Sequence, residues 1–302
     1  MIDRSIIRTD LAVETHEIHA ENGVDDGIKI KEYELDGIKI TEAEIFKGQG
    51  EKKSGKRAGI YTTVDVGTIH SKTKNNMENT AVVISGLIKK LIPDKEGCVL
   101  VAGIGNEDII SDAIGPRTAS GVIATRHIKK LDKRLYSSLG LSEVVVVQTG
   151  VMGTTGFESA EIISALVDMI KPKCVIAVDS LASRRLSRLA TTVQISTGGI
   201  SPGAGVANRR LELNDEVLGV PVVAVGVPTV VDALTLVCDV TKEEKYRDLY
   251  VGENNFYVAP KETDKIIKDA ARLLSYSINM ALHGLSSDEI SELQQWDKKS
   301  EL

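Results

Sequence analysis

Two carboxylates in this 302-residue chain stand where hydrolytic chemistry needs them. Asp112 lies in Gly105-Asn106-Glu107-Asp108-Ile109-Ile110-Ser111-Asp112-Ala113-Ile114-Gly115-Pro116, between an apolar run and the next helical segment. Asp179 directly follows the run Cys174-Val175-Ile176-Ala177-Val178. If the two runs are neighbouring strands, both side chains face one crevice. Two carboxyls that close do not both ionise readily, so one keeps a proton near neutrality. The pair then supplies a general base to activate water and a general acid to protonate a leaving amine. Each also has a plainer role, Asp112 as a helix N-cap and Asp179 as an acceptor for a backbone amide. Glu107, Asp108 and Asp232 are further carboxylates that spacing does not exclude. Arg184, Arg185 and Arg188 either steer an acidic substrate toward the site or line a salt-bridged helix face.

Other motifs fail on chemical grounds. Gly103-Ile104-Gly105 opens like a dinucleotide fingerprint, but Asp108 takes the third glycine position, where a carboxylate repels pyrophosphate. There is no GxxxxGK[ST] loop. Gly199-Ile200-Ser201-Pro202-Gly203 matches G-x-S-x-G after a strand over Thr192–Ser196, and Asp232 and His283 follow in hydrolase order. The residue after that serine must donate its N–H to the oxyanion hole, and Pro202 has none. His16-Glu17-Ile18-His19 is one residue short of HExxH and has no third ligand nearby. On a single helix, Asp112 and His127 would lie about 22 Å apart. His70 carries no reading. No cofactor and no metal ligand are assigned.

The elements that must position these residues follow from patterning. Residues 28–45 alternate around Asp36-Gly37, the signal of a tight hairpin. A strand is expected over Ile60–Val66, and a helix from near Glu78 that Pro93 stops. Cys98–Ile104, Val144–Gln148, Cys174–Val178 and Val220–Val227 are short, Val-rich and almost wholly apolar, as strands buried on both faces of a parallel sheet are. A helix spans Glu158–Ile170, with Thr155 and Glu158 as its capping box. A long helix over Asp264–Leu282 ends at His283-Gly284, and a short amphipathic one containing Trp296 follows. The fold class is a doubly wound, mostly parallel α/β sheet with an N-terminal antiparallel β addition, about 28–66. In such sheets the crevice opens beyond the carboxyl ends of the strands. Suspicion therefore falls on Gly103–Asn106 with Asp112, Gln148–Gly150, Asp179-Ser180 and Gly226–Thr229.

Composition narrows the function classes. With 42% hydrophobic and 26% charged residues and a mean hydropathy of −0.03, the chain has an ordinary globular make-up. Thirty-seven basic against 43 acidic residues, net −6, argue against nucleic acid as a direct partner. Aromatic residues at 4% leave little for stacking platforms. Cys98, Cys174 and Cys238 are an odd, scattered set that reads as buried thiols in a reducing compartment. No run approaches a membrane span, and no membrane partner is expected.

Assembled, these segments resemble the germination protease family of spore-forming bacteria. The resemblance rests on Arg8-Thr9-Asp10-Leu11-Ala12-Val13-Glu14, on Gly103–Asn106 with Asp112–Pro116, and on Gln148–Gly156, Val178–Arg184 and Ser201–Val206. It implies a fold similar to the hydrogenase maturation proteases and an atypical aspartic-type endopeptidase, made as a self-processing zymogen, that degrades small acid-soluble spore proteins. The family's two proposed catalytic aspartates match Asp112 and Asp179. By the same analogy, processing cuts between Asp10 and Leu11, which makes residues 1–10 a propeptide and 11–302 a single protease domain. A homotetramer in the cytoplasm of the forespore and spore core is further implied. Arg184 and Arg185 are the candidate substrate-binding residues on their charge alone. A metal-dependent endopeptidase on this scaffold, a serine hydrolase using Ser201 and a non-enzymatic ligand-binding protein remain the alternatives.

Overall fold

A computed structural model describes residues 9–20, 27–69, 72–201, 211–241 and 256–300. From the N-terminus, α1 (Ala12–Ala20) precedes the hairpin β1 (Ile28–Leu35) and β2 (Ile38–Ile45). Asp36 and Gly37 at its tip both have positive φ, 49° and 74°, the conformation a two-residue turn demands. Next come α2 (Gln49–Ser54), β3 (Gly59–Asp65), α3 (Lys74–Leu91), β4 (Val99–Ile104) and a 3₁₀ turn at Ile110–Asp112. Then follow α4 (Ile114–Ser120), α5 (Arg126–Leu131), α6 (Lys133–Leu139), β5 (Val144–Gly150), α7 (Met152–Thr155) and α8 (Ser159–Ile170). The remainder is β6 (Cys174–Ser183), β7 (Thr192–Ser196), α9 (Asp215–Leu218), β8 (Val222–Asp232), α10 (Ala233–Thr241), β9 (Tyr257–Val258), α11 (Thr263–His283) and α12 (Ser287–Ser300).

These strands form one nine-stranded sheet in the order β1-β2-β3-β7-β8-β6-β4-β5, with β9 on β8. The four Val-rich strands β5, β4, β6 and β8 run parallel. β7 turns back against β8 and meets β3, so the antiparallel hairpin continues the same sheet. Side chains alternate between two apolar layers. Val99, Val101, Ile176, Val178, Val223 and Val225 pack under α3 and α11, and Leu100, Ala102, Val175, Ala177 and Val222 pack under α8. Each strand is buried on both faces, which is why its sequence reads as continuous rather than alternating. The doubly wound class expected from the sequence is the one observed.

Local differences have physical causes. β6 and β8 run several residues past their expected ends because they go on pairing, through Ser183 and Val231, so Asp179 lies within a strand rather than after one. Glu161 rather than Thr155 closes the start of α8, accepting the Glu158 N–H at 2.8 Å. Thr155 is spent on the preceding turn, bonding Val151 O and Phe157 N. Asp112 and His127 lie on separate elements, the 3₁₀ turn and α5, so no single helix spans them. Trp296 falls in α12, with its side chain outside the described residues.

One close approach fixes the architecture at the site. A Cβ on Gly103 would fall 2.3 Å from Gly115 O, and one on Gly115 would fall 2.1 Å from Ile104 O and 2.5 Å from Val178 O. The first turn of α4 thus rests backbone to backbone on β4 and β6, which only glycine allows.

Candidate active site

Asp112 is placed by the loop that leaves β4. Its Oδ2 accepts the Asn106 N–H at 2.8 Å, clasping the loop across six residues. The 3₁₀ turn that carries Asp112 is tied to β8 by Thr229 Oγ1, which donates to Ser111 O at 2.7 Å. The N-cap role open to Asp112 is not taken: Ala113 caps α4, and no side chain bonds there. Asp179 is 3% exposed on β6, where its Oδ1 accepts the N–H of Ser180 at 2.8 Å. β4 and β6 are adjacent, with Gly103 paired to Val178. Asp112, in the turn after β4, and Asp179, on β6, therefore follow or lie on neighbouring strands toward the carboxyl side of the parallel core, where the crevice of such a sheet opens.

The chain's own N-terminal segment lies in this place. Asp10 N–H donates to Ala182 O at 2.9 Å, and Asp10 Oδ2 accepts the Ala182 N–H at 2.8 Å. Leu11, fully buried, packs with Val13 and Leu181 against Ile200. Gln194 of β7 grips the backbone on both sides of Leu11: Oε1 accepts the Ala12 N–H and Nε2 donates to Asp10 O, each at 2.9 Å. Gln194 and Asp179 are both paired to Gly226. The two side chains thus share one face of the sheet, two strand spacings or about 10 Å apart. Gly226 between them has no side chain of its own, and Leu181 of β6 fills the space above it: a Cβ there would fall 2.6 Å from Leu181 Cγ.

Glu14, fully buried, accepts the N–H groups of Arg184 and Arg185 at 2.6 and 2.9 Å, as well as the hydroxyl of Thr9. Glu17 receives Arg185 Nε at 2.7 Å and Arg188 Nη1 at 3.1 Å. Of the two readings of the arginine cluster, the salt-bridged one is observed: Arg185 and Arg188 pair with Glu17, an acid of the N-terminal segment. Arg185 reaches that segment with its guanidinium, whereas Arg184 reaches it with its backbone. Lys56 Nζ donates to Thr9 O at 3.3 Å, close to Asp10 and Glu14.

The electrostatics follow from desolvation and these partners. Burial pushes the Asp10 carboxyl above its usual range, and neither the Lys56 charge nor the Ala182 N–H offsets it fully. Burial lowers Lys56 despite the carboxylates of Asp10 and Glu14. For Glu17 burial acts upward, but hydrogen bonds and charge from Arg188 and then Arg185 outweigh it and hold the group below its usual value. The acid beside Lys56 is thus the easier to protonate and the acid between the arginines the harder.

The other candidates are not assembled with this pair. His283 Nε2 bonds Ile123 O at 3.0 Å, and the neighbouring Leu282 O receives Ser142, just before β5 begins. That is the amino end of the parallel strands. Asp232, at the opposite end, accepts Thr235 N–H and Oγ1 at the start of α10. The Ser201-Asp232-His283 set therefore lacks its base. Glu107, Asp108 and His127 are exposed. His70, Pro202 and the side chains of His16 and His19 lie outside the described residues. Among the described residues no group of three or more His, Cys, Asp or Glu is placed to hold a metal ion. Cys98 and Cys174 are buried free thiols, each pushed up to about 11 by desolvation.

Two contributors escaped the sequence reading. Gln194 had a faint signal, a long polar side chain at the centre of Thr192-Val193-Gln194-Ile195-Ser196. Lys56 had none, being one lysine of a Lys/Gly-rich loop.

The chain is thus a doubly wound α/β protein with two acids toward the carboxyl side of its parallel core and its own N-terminal segment laid along β6. The germination protease family model matches residues 6–244, and the chain belongs to that family. It is 41% identical to the germination protease of Caldanaerobacter subterraneus subsp. tengcongensis over 95% of this chain and 98% of that one. To that of Clostridium tetani it is 38% identical, over 91% and 95%. To that of Bacillus cytotoxicus it is 32% identical, over 93% and 95%. Among solved structures, a [NiFe] hydrogenase maturation protease, HycI from Thermococcus kodakarensis, aligns with a TM-score of 0.36 and 17% identity, over 64% of this chain and 98% of that one. The chain is an endopeptidase of spore germination, and no helix among the described residues is long and apolar enough to cross a membrane.

Proposed function

We propose that the chain is a self-processing zymogen whose aspartate pair, Asp112 and Asp179, hydrolyses the Asp10–Leu11 bond and afterwards the same kind of bond in small acid-soluble spore proteins. The observation that carries this reading is the seat of Thr9–Glu14 on β6, with Asp10 bonded twice to Ala182, three residues along the strand from Asp179. The segment reads acid, then apolar, then acid, and each part has its own partner: Ala182 and Lys56 at Asp10, Leu181 and Ile200 at Leu11, the Arg184 and Arg185 amides at Glu14. A substrate in trans must take that seat, so the chain's own segment keeps it closed until it is cut. Residues 1–10 are then the propeptide, and the homotetramer implied by the family resemblance belongs to the same reading.

In the reaction, one aspartate takes a proton from water as the oxygen adds to the Asp10 carbonyl carbon. The second carboxyl gives its proton to Leu11 N as the C–N bond breaks, leaving a new α-carboxylate at Asp10 and a free amine at Leu11. The test is intact mass against time at mildly acidic pH. Loss of residues 1–10 from the wild type but not from Asp112→Asn is expected. Removal at the same rate in both refutes the pair.

A further inference from the structure

We infer that Gln194 is a catalytic residue of this protease: its carboxamide holds the peptide on both sides of the first residue after the cut and polarises the carbonyl that water attacks. The inference rests on the reading of Asp10–Leu11 as the bond that is cleaved.

The amide's orientation is set by its partners. The Ala12 N–H can only donate, so it must face Oε1, and this turns Nε2 toward Asp10 O, which can only accept. Both contacts are 2.9 Å, and the one that Nε2 donates is aimed at the Asp10 oxygen on which negative charge would develop. Gln194 is 7% exposed, so few water dipoles compete with it. Its position on β7 is rigid: the backbone pairs with β3 on one side, Gln194 against Thr63, and with β8 on the other, against Gly226. The peptide that Gln194 holds rests on Leu181, whose side chain covers Gly226 and packs with Leu11.

The chemistry balances with groups already named. As the water oxygen bonds to the Asp10 carbonyl carbon, the C=O π pair moves onto oxygen, and Nε2–H faces the negative charge that forms there. Collapse returns the pair, breaks the bond to Leu11 N, and sends the acid's proton to that nitrogen. Gln194 neither gains nor loses a proton. Its acceptor half keeps the Ala12 N–H in place, so the bond broken stays beside the donor half. Lys56, the cation beside Asp10, donates to Thr9 O, whereas the neutral amide donates to Asp10 O without discharging either acid.

The two halves of the amide are separable. Gln194→Glu keeps an acceptor for Ala12 N–H and removes the donor to Asp10 O. We expect full-length Gln194→Glu to remove residues 1–10 roughly 100-fold or more slowly than the wild type, the scale for losing one such donor. Docking is read separately, by amide hydrogen exchange at Ala12 and Ala182 in Asp179→Asn and in Asp179→Asn/Gln194→Glu, where the segment stays uncut. Slow processing with both amides still protected supports the inference. Processing of Gln194→Glu at the wild-type rate overturns it. So does slow processing with both amides unprotected, which makes Gln194 a docking group alone. Should wild type itself cut at a bond other than Asp10–Leu11, the underlying reading of the cleavage site fails instead.

Discussion

Asp10 binds Ala182 twice, once through its backbone N–H and once through its carboxylate. Ala182 has a single N–H to give, and giving it to a side chain rather than to a strand makes this seat selective for an acid or its amide at that position. Lys56, half-buried alongside, adds charge to the selection. Asp10→Lys removes the acceptor and sets a second cation beside Lys56. It should abolish removal of residues 1–10 in intact-mass time courses while leaving circular dichroism unchanged. Unaltered processing would mean that the cut falls elsewhere.

Asp112→Asn and Asp179→Asn should each slow processing at least about 100-fold, the lower edge for losing a general acid or base. The asparagine oxygen can still accept from Asn106 N–H or from Ser180 N–H, so the loop clasp and the strand persist. Melting temperatures within a few degrees of wild type are the control. Wild-type rates in folded variants would remove the pair from the mechanism.

The acids of the segment titrate in opposite directions. Asp10 is raised in the folded chain, so its contribution to docking is complete below the ordinary value of 3.8 and is lost as pH rises through the elevated one. Glu17 is lowered, so its contribution is present above the ordinary value of 4.5 and is lost as pH falls through the depressed one. In Asp179→Asn, protection of the Ala12 amide should therefore increase as pH falls from neutrality through the Asp10 titration, then decline once Glu17 protonates. Asp10→Asn should flatten the upper limb and leave the lower one.

Ser201→Ala should process at close to the wild-type rate, since His283 is held at the far end of α11, a 21-residue helix roughly 30 Å long. A folded but inactive variant would restore a role for the hydroxyl.

Gly226→Ala should lower stability by about 1–3 kcal/mol, because the new methyl meets Leu181 Cγ at 2.6 Å and Asp179 O at 2.9 Å in a packed sheet. Thermal melting reads the loss. Processing should fall with it, as Leu181 shifts under Leu11.

Much of this was legible from residue types alone. Val-rich runs such as Cys98–Ile104 and Cys174–Val178 can only be strands covered on both faces, because no half-exposed strand tolerates such continuity. That fixed the doubly wound core and directed attention to its carboxyl ends, where Asp112 and Asp179 stand. Asp36-Gly37 determined its hairpin through positive φ, and Gly284 at φ 70° ended α11. The strand ends were not legible. Asp179 reads as the residue after a strand because apolar character stops there, whereas pairing with β8 carries β6 on to Ser183. Nor could sequence place Gln194, Lys56 and Glu14 around Asp10. Gln194 and Lys56 reach the segment across 184 and 47 positions of the chain, and Glu14 is held by Arg184 170 positions on; no local pattern encodes a partner that distant. The sequence determined which residues could do the chemistry. Only tertiary packing decided which face them, since sheet order and register set that, and these are properties of the whole fold.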